Sequence, residues 1–238
     1  MFQWNEEMVR FMRAASEYGD YHRRLVQRMR PALHSADHIC DAGCGLGYLS
    51  LALAPYVRRV TAADRSEAAL DVLRQNCAER GIRNIDILSG ELRPVPLAEP
   101  YDAMVFCFFG RMEEIAAAAK AQCRGTVFVF KKNYTSHRFS VGEHPAGWDS
   151  FRAGADWLTE RGVPFEAETL EPEMGQPFRS MEEARQFFRL YSRDADKAAI
   201  TDEFLRGRLA ETGREDFPLY LPHKRQIGYL QFSSEDLP

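Results

Sequence analysis

The 238-residue sequence predicts an α/β fold, a doubly wound and mostly parallel seven-stranded sheet with helices on both faces. Two observations predict it. Short apolar runs alternate with helical patterns between residues 38 and 130. The run from Ala103 to Phe109 is apolar on both faces, which is typical of a parallel strand covered by helices on each side. Right-handed crossovers between such strands give an open sheet, whose ligands bind at the carboxyl ends of the strands.

Residues 1–35 are predicted to form a helical N-terminal cap, because apolar residues recur there at helical spacing until Pro31. The core at 36–132 is expected to bind the cofactor. Ser66 and Gly81 fit the N-cap and the C-terminal stop of its second helix. The predicted strands of the core are 38–42, 58–63, 84–88, 101–109 and 125–130, and its helices are 46–54, 66–80 and 111–122.

Residues 133–238 are predicted to be an elaboration on the substrate side of the same single domain. The segment 133–150 is rich in Gly, His, Ser and aromatics, which indicates a loop over the active edge. A helix ending at Gly162 precedes a strand at 165–170. Ser180 opens a helix through a capping box, and a further helix is expected over 201–211. This α-rich insertion leads into the last strand at 226–232.

A glycine-rich turn follows the first strand of the core. The apolar run ends at Asp41, and Gly43, Gly45 and Gly47 then alternate up to a helical pattern. Backbone without Cβ atoms can approach a ligand closely. The following helix is expected to present free N–H groups and the positive end of its dipole at the same point. The turn therefore predicts a site for a nucleotide-like cofactor.

The glycine spacing bears on which cofactor binds. A dinucleotide fingerprint, G-x-G-x-x-G, would need glycine where this chain has Tyr48. The observed D-x-G-x-G-x-G, with Asp64 ending the second strand, resembles the first motif of class I S-adenosylmethionine-dependent methyltransferases, of the Rossmann-like, small-molecule type. An acid such as Asp64 can hold ribose hydroxyls in either cofactor class. An NAD-dependent oxidoreductase and a noncatalytic S-adenosylmethionine-binding module therefore stay open as alternatives.

The resemblance implies S-adenosylmethionine as the cofactor, and it implies a final strand that runs antiparallel near the sheet edge. It places Asp64 at the ribose and Arg65 beside the adenine. Glu91, one methylene longer than the usual Asp, would contact the adenine amine. The residues expected around the cofactor are Asp41, Gly43, Cys44, Gly45, Asp64, Arg65, Gly90, Glu91, Leu92, Cys107, Phe108, Tyr18 and Tyr21, the two tyrosines as a lid over the sulfonium.

Methyl transfer from a sulfonium is an in-line displacement that depends mainly on positioning and desolvation. A hydroxyl or thiol acceptor would also need a general base. His137 and His144 are the first candidates, because they lie in the loop after the fifth strand, and Tyr21 and His22 follow. Residues considered for an acceptor pocket are Tyr134, Trp148, Phe187 and Tyr191, the last two unless their helical stripe is core.

Composition narrows the function further. A formal net charge of −4 argues against nonspecific binding to nucleic acid. The five cysteines form no CxxC pair, no signal peptide is evident and no apolar run is long enough to cross a bilayer, so a cytoplasmic protein is expected. No metal-ligand spacing is present. Motifs of the nucleic-acid and protein-arginine methyltransferases are also lacking, which leaves a small organic acceptor as the expected partner.

Overall fold

The computed structural model describes residues 4–34, 37–133, 150–192 and 194–238. Its main sheet has seven strands in the order β3-β2-β1-β4-β5-β10-β6. These strands are β1 (His38–Ala42), β2 (Arg59–Asp64), β3 (Ile85–Ser89), β4 (Tyr101–Cys107), β5 (Cys123–Lys132), β6 (Phe165–Leu170) and β10 (Ile227–Ser233).

The pairing of these strands confirms the predicted doubly wound sheet. Strands β1 to β5 pair in parallel, and β10 pairs antiparallel with both β5 and β6. The implied antiparallel strand is therefore present, one place in from the edge. The strand order reverses between β1 and β4, and in open sheets this reversal opens a crevice at the carboxyl ends of the strands.

Helices cover both faces of the sheet, as the doubly apolar strands predict. Along β4, Phe106 packs in one cluster with residues of α5 (Met112–Gln122) and α6 (Phe151–Glu160). The neighbouring Val105 packs in a second cluster with residues of α2 (Tyr21–Met29) and α3 (Tyr48–Leu53). Because successive side chains of a strand point to opposite faces, adjacent residues of β4 help to form two separate cores.

The N-terminal cap is helical, as predicted, with α1 at Glu6–Tyr18 preceding α2. Asn5 caps α1 by accepting a hydrogen bond from the Met8 N–H. Phe11 of α1 does not pack on the main sheet. Its ring lies 4.9 Å from that of Phe187 and 6.3 Å from that of Phe178, both in the insertion before β10. The cap and the insertion therefore share one apolar cluster.

The insertion contains helices, as predicted, but also a small second sheet that the sequence analysis missed. Its helices are α7 (Met181–Tyr191) and α8 (Asp202–Arg208), and its strands, in the order β7-β9-β8, are β7 (Gln176–Phe178), β8 (Ala210–Glu211) and β9 (Leu219–Leu221). Strands of two or three residues are too short to show a period. The predicted helix over 201–211 therefore ends early, and its last two residues form β8.

Two other expectations change for local reasons. Strand β4 stops at Cys107 rather than at Phe109, because Phe108 takes a positive φ of 56°. Phe187 is buried in the core of the insertion and Tyr191 packs against it at 5.0 Å, so neither lines the main cavity. The remaining core helix, α4, spans Glu67–Arg80 with Ser66 as its N-cap and Gly81 in the left-handed region after it. Within the described ranges, no helix combines the length and apolarity needed to traverse a bilayer.

Candidate active site

A cavity of about 980 Å³ lies at the carboxyl ends of β1, β2 and β4. Three parts of the chain enclose it. The cap contributes Trp4, Met12, Ser16, Tyr21 and His22, the turns after the core strands contribute most of the remaining wall, and the base of the insertion contributes Met174 and Arg225. This volume is at the upper end of the range for small-molecule and cofactor sites.

The glycine turn after β1 needs all three of its glycines. Gly43, Gly45 and Gly47 have φ of 71°, 54° and 75°, in the left-handed region that side chains disfavour. A Cβ on Gly43 would lie 2.2 Å from the Phe109 ring, and one on Gly47 would lie 2.4 Å from Leu73 of α4. The alternate spacing therefore reflects both backbone conformation and close packing.

Four N–H groups of this turn donate to acceptors within the protein. Gly43 and Cys44 both donate to the Ala63 carbonyl at 2.8 and 3.0 Å, and Gly47 donates to the Cys44 carbonyl at 2.9 Å. Gly45 donates to Asp64 at 2.9 Å. The helix that follows, α3, has only six residues and begins at Tyr48. The turn is thus a rigid wall of the cavity rather than a cradle of free donors.

Asp64 lies at the end of β2 with its carboxylate on the cavity. One oxygen accepts the Gly45 N–H and the other accepts the Ser66 N–H, each at 2.9 Å. Each carboxylate oxygen has a second lone-pair site after these bonds. The side chain is therefore held in place and can still accept two hydroxyl groups, as the diol of a ribose requires.

Asp41 lies under the glycine turn and is only 1% exposed. Its carboxylate accepts a hydrogen bond from the Ser50 hydroxyl at 2.5 Å. Burial, and to a smaller extent the nearby charge of Asp64, raises the pKa of Asp41 to about 6 against the lowering effect of the Ser50 hydrogen bond. Burial also raises the pKa of the Cys107 thiol to about 12, and it raises the pKa of the Cys44 thiol as well. Both thiols of the cavity are therefore protonated at neutral pH.

The wall beyond Asp64 is formed by the turns after β2, β3 and β4. The predicted residues Arg65, Gly90, Glu91 and Leu92 all line it. Gly90 donates its N–H to the Asp64 carbonyl at 3.0 Å, which fixes the β3 turn against the β2 turn. Additional residues not singled out from the sequence are Ser66, Pro94, Phe109, Gly110, Ile115 and Ala117. This part of the cavity is a mainly apolar slot with acids at its rim, which fits a nucleoside.

The opposite wall is aromatic. Tyr21 lines it, and the neighbouring His22 ring stacks on Tyr48 at 5.7 Å. Burial, and then the charge of Arg225, lowers the pKa of His22 to about 3, so its imidazole is neutral. Cys107 and Phe108 line the cavity where β4 ends, as expected, and the Arg225 guanidinium lies 4.0 Å above the Phe108 ring.

The structure does not bring every candidate to the cavity. Tyr18, expected in a lid, instead stacks on Tyr220 at 5.0 Å and packs edge-on against Phe217, both in the insertion. It lies at the end of α1, and α2 begins only at Tyr21, so the two tyrosines of the cap point to different neighbours. The candidates His137, His144, Tyr134 and Trp148 lie outside the described residues.

Trp4, Met174 and Arg225 line the cavity but were missed from the sequence. Met174 and Arg225 lie far apart in the chain and outside any motif, so their meeting depends on the fold of the insertion. Among the residues that the structure describes, no group of three or more His, Cys, Asp or Glu side chains could hold a metal ion.

Comparison with known proteins supports this geometry. Residues 39–126 match a family model described as a methyltransferase domain. These residues include the glycine turn, Asp64 and the end of β4. The resemblance to class I methyltransferases is confirmed over this region, and with it S-adenosylmethionine as the cofactor of the matched domain.

Two curated relatives match over the same part of the chain. Malonyl-[acyl-carrier protein] O-methyltransferase of Serratia marcescens is 40% identical over 75 residues, which is 32% of this chain and 27% of the relative. Cobalt-precorrin-6B C(15)-methyltransferase (decarboxylating) of Salmonella typhimurium is 40% identical over 83 residues, which is 34% of this chain and 43% of the relative. The chain thus spans less than half the length of either relative.

A solved structure shows the same fold over most of the chain. It is a putative methyltransferase from Bacillus halodurans C-125, with a TM-score of 0.58 and 17% identity. The match covers 91% of this chain and 99% of that one. The likeness therefore extends to the cap and the insertion in outline.

Proposed function

We propose, from the methyltransferase domain at residues 39–126, that this chain transfers the methyl group of S-adenosylmethionine to a small organic acceptor. The observation that carries the proposal is the arrangement of Asp64. Its carboxylate is fixed by two N–H donors and faces a largely apolar cavity beside a closely packed glycine turn.

In this proposal the residues that hold the nucleoside are those of the β2 and β3 turns. Asp64 accepts the two ribose hydroxyls, and the slot at Leu92 encloses the adenine, with Glu91 at its rim. Asp41 and the turn from Gly43 to Gly45 surround the amino-acid part. The bound cofactor supplies an activated methyl group, so the protein contributes position and exclusion of water. Positioning of this kind is worth roughly 7–11 kcal/mol of barrier.

The acceptor is proposed to occupy the aromatic end of the cavity, between Tyr21, Phe108 and Met174. The cavity volume supports a small molecule there, since it must hold the cofactor as well. His22 has too low a pKa to act as a strong base, so its role is to orient an acceptor or a water molecule. His137 and His144 remain our candidates for a base, and loss of turnover in His137→Ala or His144→Ala with unchanged cofactor binding would support one of them.

The hydrogen bonds of the glycine turn favour a methyltransferase over an NAD-dependent oxidoreductase. A dinucleotide site uses backbone N–H groups at a glycine turn to hold a pyrophosphate. Here the N–H groups of Gly43, Cys44, Gly45 and Gly47 already have acceptors within the protein. A sulfonium nucleoside has no phosphate and does not need them.

Calorimetric titration with S-adenosylmethionine and S-adenosylhomocysteine tests the proposal directly. We expect both to bind, and Asp64→Ala to weaken binding at least tenfold, because it removes charge-assisted hydrogen bonds in a desolvated site. Asp71→Ala on the exposed face of α4 is the control and should bind as the unaltered protein does. Failure of both ligands to bind at millimolar concentration, with NAD binding instead, would favour the oxidoreductase.

A noncatalytic binding module is distinguished by its products. Incubation of the protein with S-adenosylmethionine and a small-molecule cell extract should yield a species heavier by one methyl group in mass spectrometry. Tight cofactor binding without any methylated product would support the noncatalytic alternative.

A further inference from the structure

We propose that the acceptor carries a carboxylate and that Arg225 binds it at the aromatic end of the cavity. This inference rests on the proposed function and names the class of its acceptor. It is argued from the placement of one guanidinium group, from its neighbours and from the distribution of charge along the sheet edge.

The base of the insertion holds Arg225 in position through backbone bonds. The Arg225 N–H donates to the Pro172 carbonyl at 2.9 Å, and the Met174 N–H donates to the His223 carbonyl at 2.8 Å. An antiparallel bridge between Glu173 and Lys224 joins the same two segments. We call residues 171–175 and 222–226 the stem of the insertion. Each of its two segments directs one side chain, Met174 or Arg225, into the cavity.

The guanidinium of Arg225 lies among apolar and polarisable groups. It sits 4.0 Å from the centre of the Phe108 ring and 5.9 Å from that of Tyr21. It also donates to the Met174 sulfur at 3.5 Å. A guanidinium stacked on a ring keeps N–H groups at its edge, in the fork geometry that matches a carboxylate. The apolar surroundings favour an organic acid over a strongly hydrated phosphate.

The charge of Arg225 acts on the interior of the cavity. It contributes to the lowered pKa of His22 on α2, and it opposes the burial that raises the pKa of Cys107 on β4. Groups on two separate elements therefore lie within its field. An anion placed between them would be attracted by the same charge.

Two cationic side chains of the cavity lie at the β5 and β10 end of the carboxyl edge of the sheet. Glu91 and Asp64 follow β3 and β2, at one side of the strand order, and Glu113 and Glu114 lie on α5. Lys132 ends β5, opposite the first residue of the neighbouring β10, and Arg225 lies two residues before that strand. Lys132 and Arg225 thus lie at the side proposed for the acceptor, whereas Asp64 and Glu91, with Arg65 next to Asp64, lie at the side proposed for the nucleoside.

The backbone beneath Arg225 is strained. Among the described residues, Phe108 is the one non-glycine residue with a positive φ. Non-glycine residues in such a conformation concentrate at functional sites. This conformation places the Phe108 ring against the Arg225 guanidinium. The placement supports a role for the pair in binding the acceptor.

Benzoate and its neutral analogue benzamide are the probes for this site. They are titrated into the protein with and without saturating S-adenosylhomocysteine. We expect benzoate to bind the complex at least tenfold more tightly than benzamide. Arg225→Gln should abolish that preference and leave the affinity for S-adenosylhomocysteine within twofold. Arg225→Lys should retain part of the preference, because it keeps the charge without the fork. Arg152→Gln, whose side chain is 90% exposed on α6, should behave as the unaltered protein.

Equal binding of the two probes to the unaltered protein would overturn the proposal, and so would a benzoate preference that survives in Arg225→Gln. A tenfold loss of S-adenosylhomocysteine affinity in Arg225→Gln would instead assign Arg225 to the carboxylate of the cofactor. Melting temperatures of both Arg225 variants show whether they are folded. Absence of S-adenosylhomocysteine binding by the unaltered protein contradicts the proposed function, and the titrations without that ligand separate this failure from loss of the anion site.

Discussion

At the scale of single residues, the site depends on groups that serve the protein and the ligand together. Asp64 fixes the glycine turn through Gly45 and also faces the cavity. Gly43 leaves room for Phe109, which lines the same cavity. Substitutions here are therefore expected to affect folding and binding at once, and controls must separate the two effects.

Two glycines with the same backbone angle allow that separation. Gly43 and Gly213 both have φ of 71°, but a Cβ on Gly213 would meet nothing within 4 Å. Gly213→Ala should cost about 1 kcal/mol of unfolding free energy from the left-handed conformation alone. Gly43→Ala should cost more, by about 1–3 kcal/mol, because the Phe109 ring must move. Urea denaturation measures both, and equal losses would show that packing against Phe109 is unimportant.

Asp41 predicts a dependence of stability on pH. Its pKa is about 6 in the folded state and near the ordinary 3.8 in the unfolded state. The folded state therefore binds more protons between these values, and this contribution to stability is lost as pH rises from about 4 through about 6. The loss is about 3 kcal/mol at 1.36 kcal/mol per pKa unit. Relative to the unaltered protein, Asp41→Asn should gain stability by that order between pH 4 and 7.

Denaturation of the two ligand-free proteins at several pH values tests this prediction. Asn keeps an oxygen for the Ser50 hydroxyl but does not ionise, so the Asp41→Asn curve should be flatter across this window. Parallel stability curves would show that Asp41 titrates as an ordinary carboxylate.

The sequence was most informative where a short motif fixes the backbone. Asp41, Gly43, Gly45 and Asp64 could be placed from the spacing of the motif, and the structure brings them to one cavity. It did not reveal that N–H groups of the turn have acceptors within the protein, because those of Gly43, Cys44 and Gly45 donate to Ala63 and Asp64 on the neighbouring strand. The predicted position of Tyr18 in a lid was wrong for a similar reason, because its neighbours Phe217 and Tyr220 are distant in sequence.

At the scale of elements, the first helix of the cap is joined to the insertion by apolar and ionic contacts. Phe11 is 2% exposed and packs against Phe178 and Phe187. Arg10 of the same helix pairs with Glu183 of α7 at 2.6 Å. The Glu183 side chain also accepts a hydrogen bond from the Arg179 N–H. In the predicted capping box it would accept the Ser180 N–H instead. These contacts set where α1 lies over the cavity.

Phe11→Ala should therefore release α1 as a unit. Removal of a buried aromatic side chain costs about 3–5 kcal/mol, and the loss should fall on contacts between α1 and the insertion. Hydrogen exchange should accelerate over residues 6–18 more than over β1, β4 and β5. Phe204→Ala is the matched control, because Phe204 packs on Phe188 in the same cluster. Similar acceleration of α1 exchange in both variants would contradict an anchor at Phe11.

Element types were predictable where the hydrophobic period is long. The seven strands of the main sheet and the helices of the core follow from apolar runs that alternate with helical patterns, and only their ends moved. Strands β7, β8 and β9 could not be found in this way, because two or three residues carry no period. In addition, β7 pairs with residues about 40 positions later in the chain.

At the scale of the whole molecule, the cavity is assembled from the cap, the core and the stem. Each part is remote in sequence from the others, and none encloses the cavity alone. A ligand that fills it therefore has to stabilise all three together.

Hydrogen exchange with saturating S-adenosylhomocysteine tests this assembly. At 100 times the dissociation constant a ligand adds about 2.7 kcal/mol to stability. We expect slower exchange in α2, in the glycine turn and near Arg225 alike, whereas NAD at the same concentration should leave all three unchanged. Protection confined to the glycine turn would show that the cap and the stem do not take part in binding.

The stem has a consequence for how such a scaffold diversifies. Met174 and Arg225 lie on the two segments of the stem. An exchange of residues 176–221 between homologues would therefore preserve both side chains, whereas an exchange of residues 172–226 would replace them together. If the proposed assignment of the cavity holds, a single recombination event of the second kind would change which acceptor binds and leave the residues at the nucleoside end unchanged. The proposed specificity for the acceptor could therefore evolve by exchange of the stem, while the proposed site for S-adenosylmethionine stays the same.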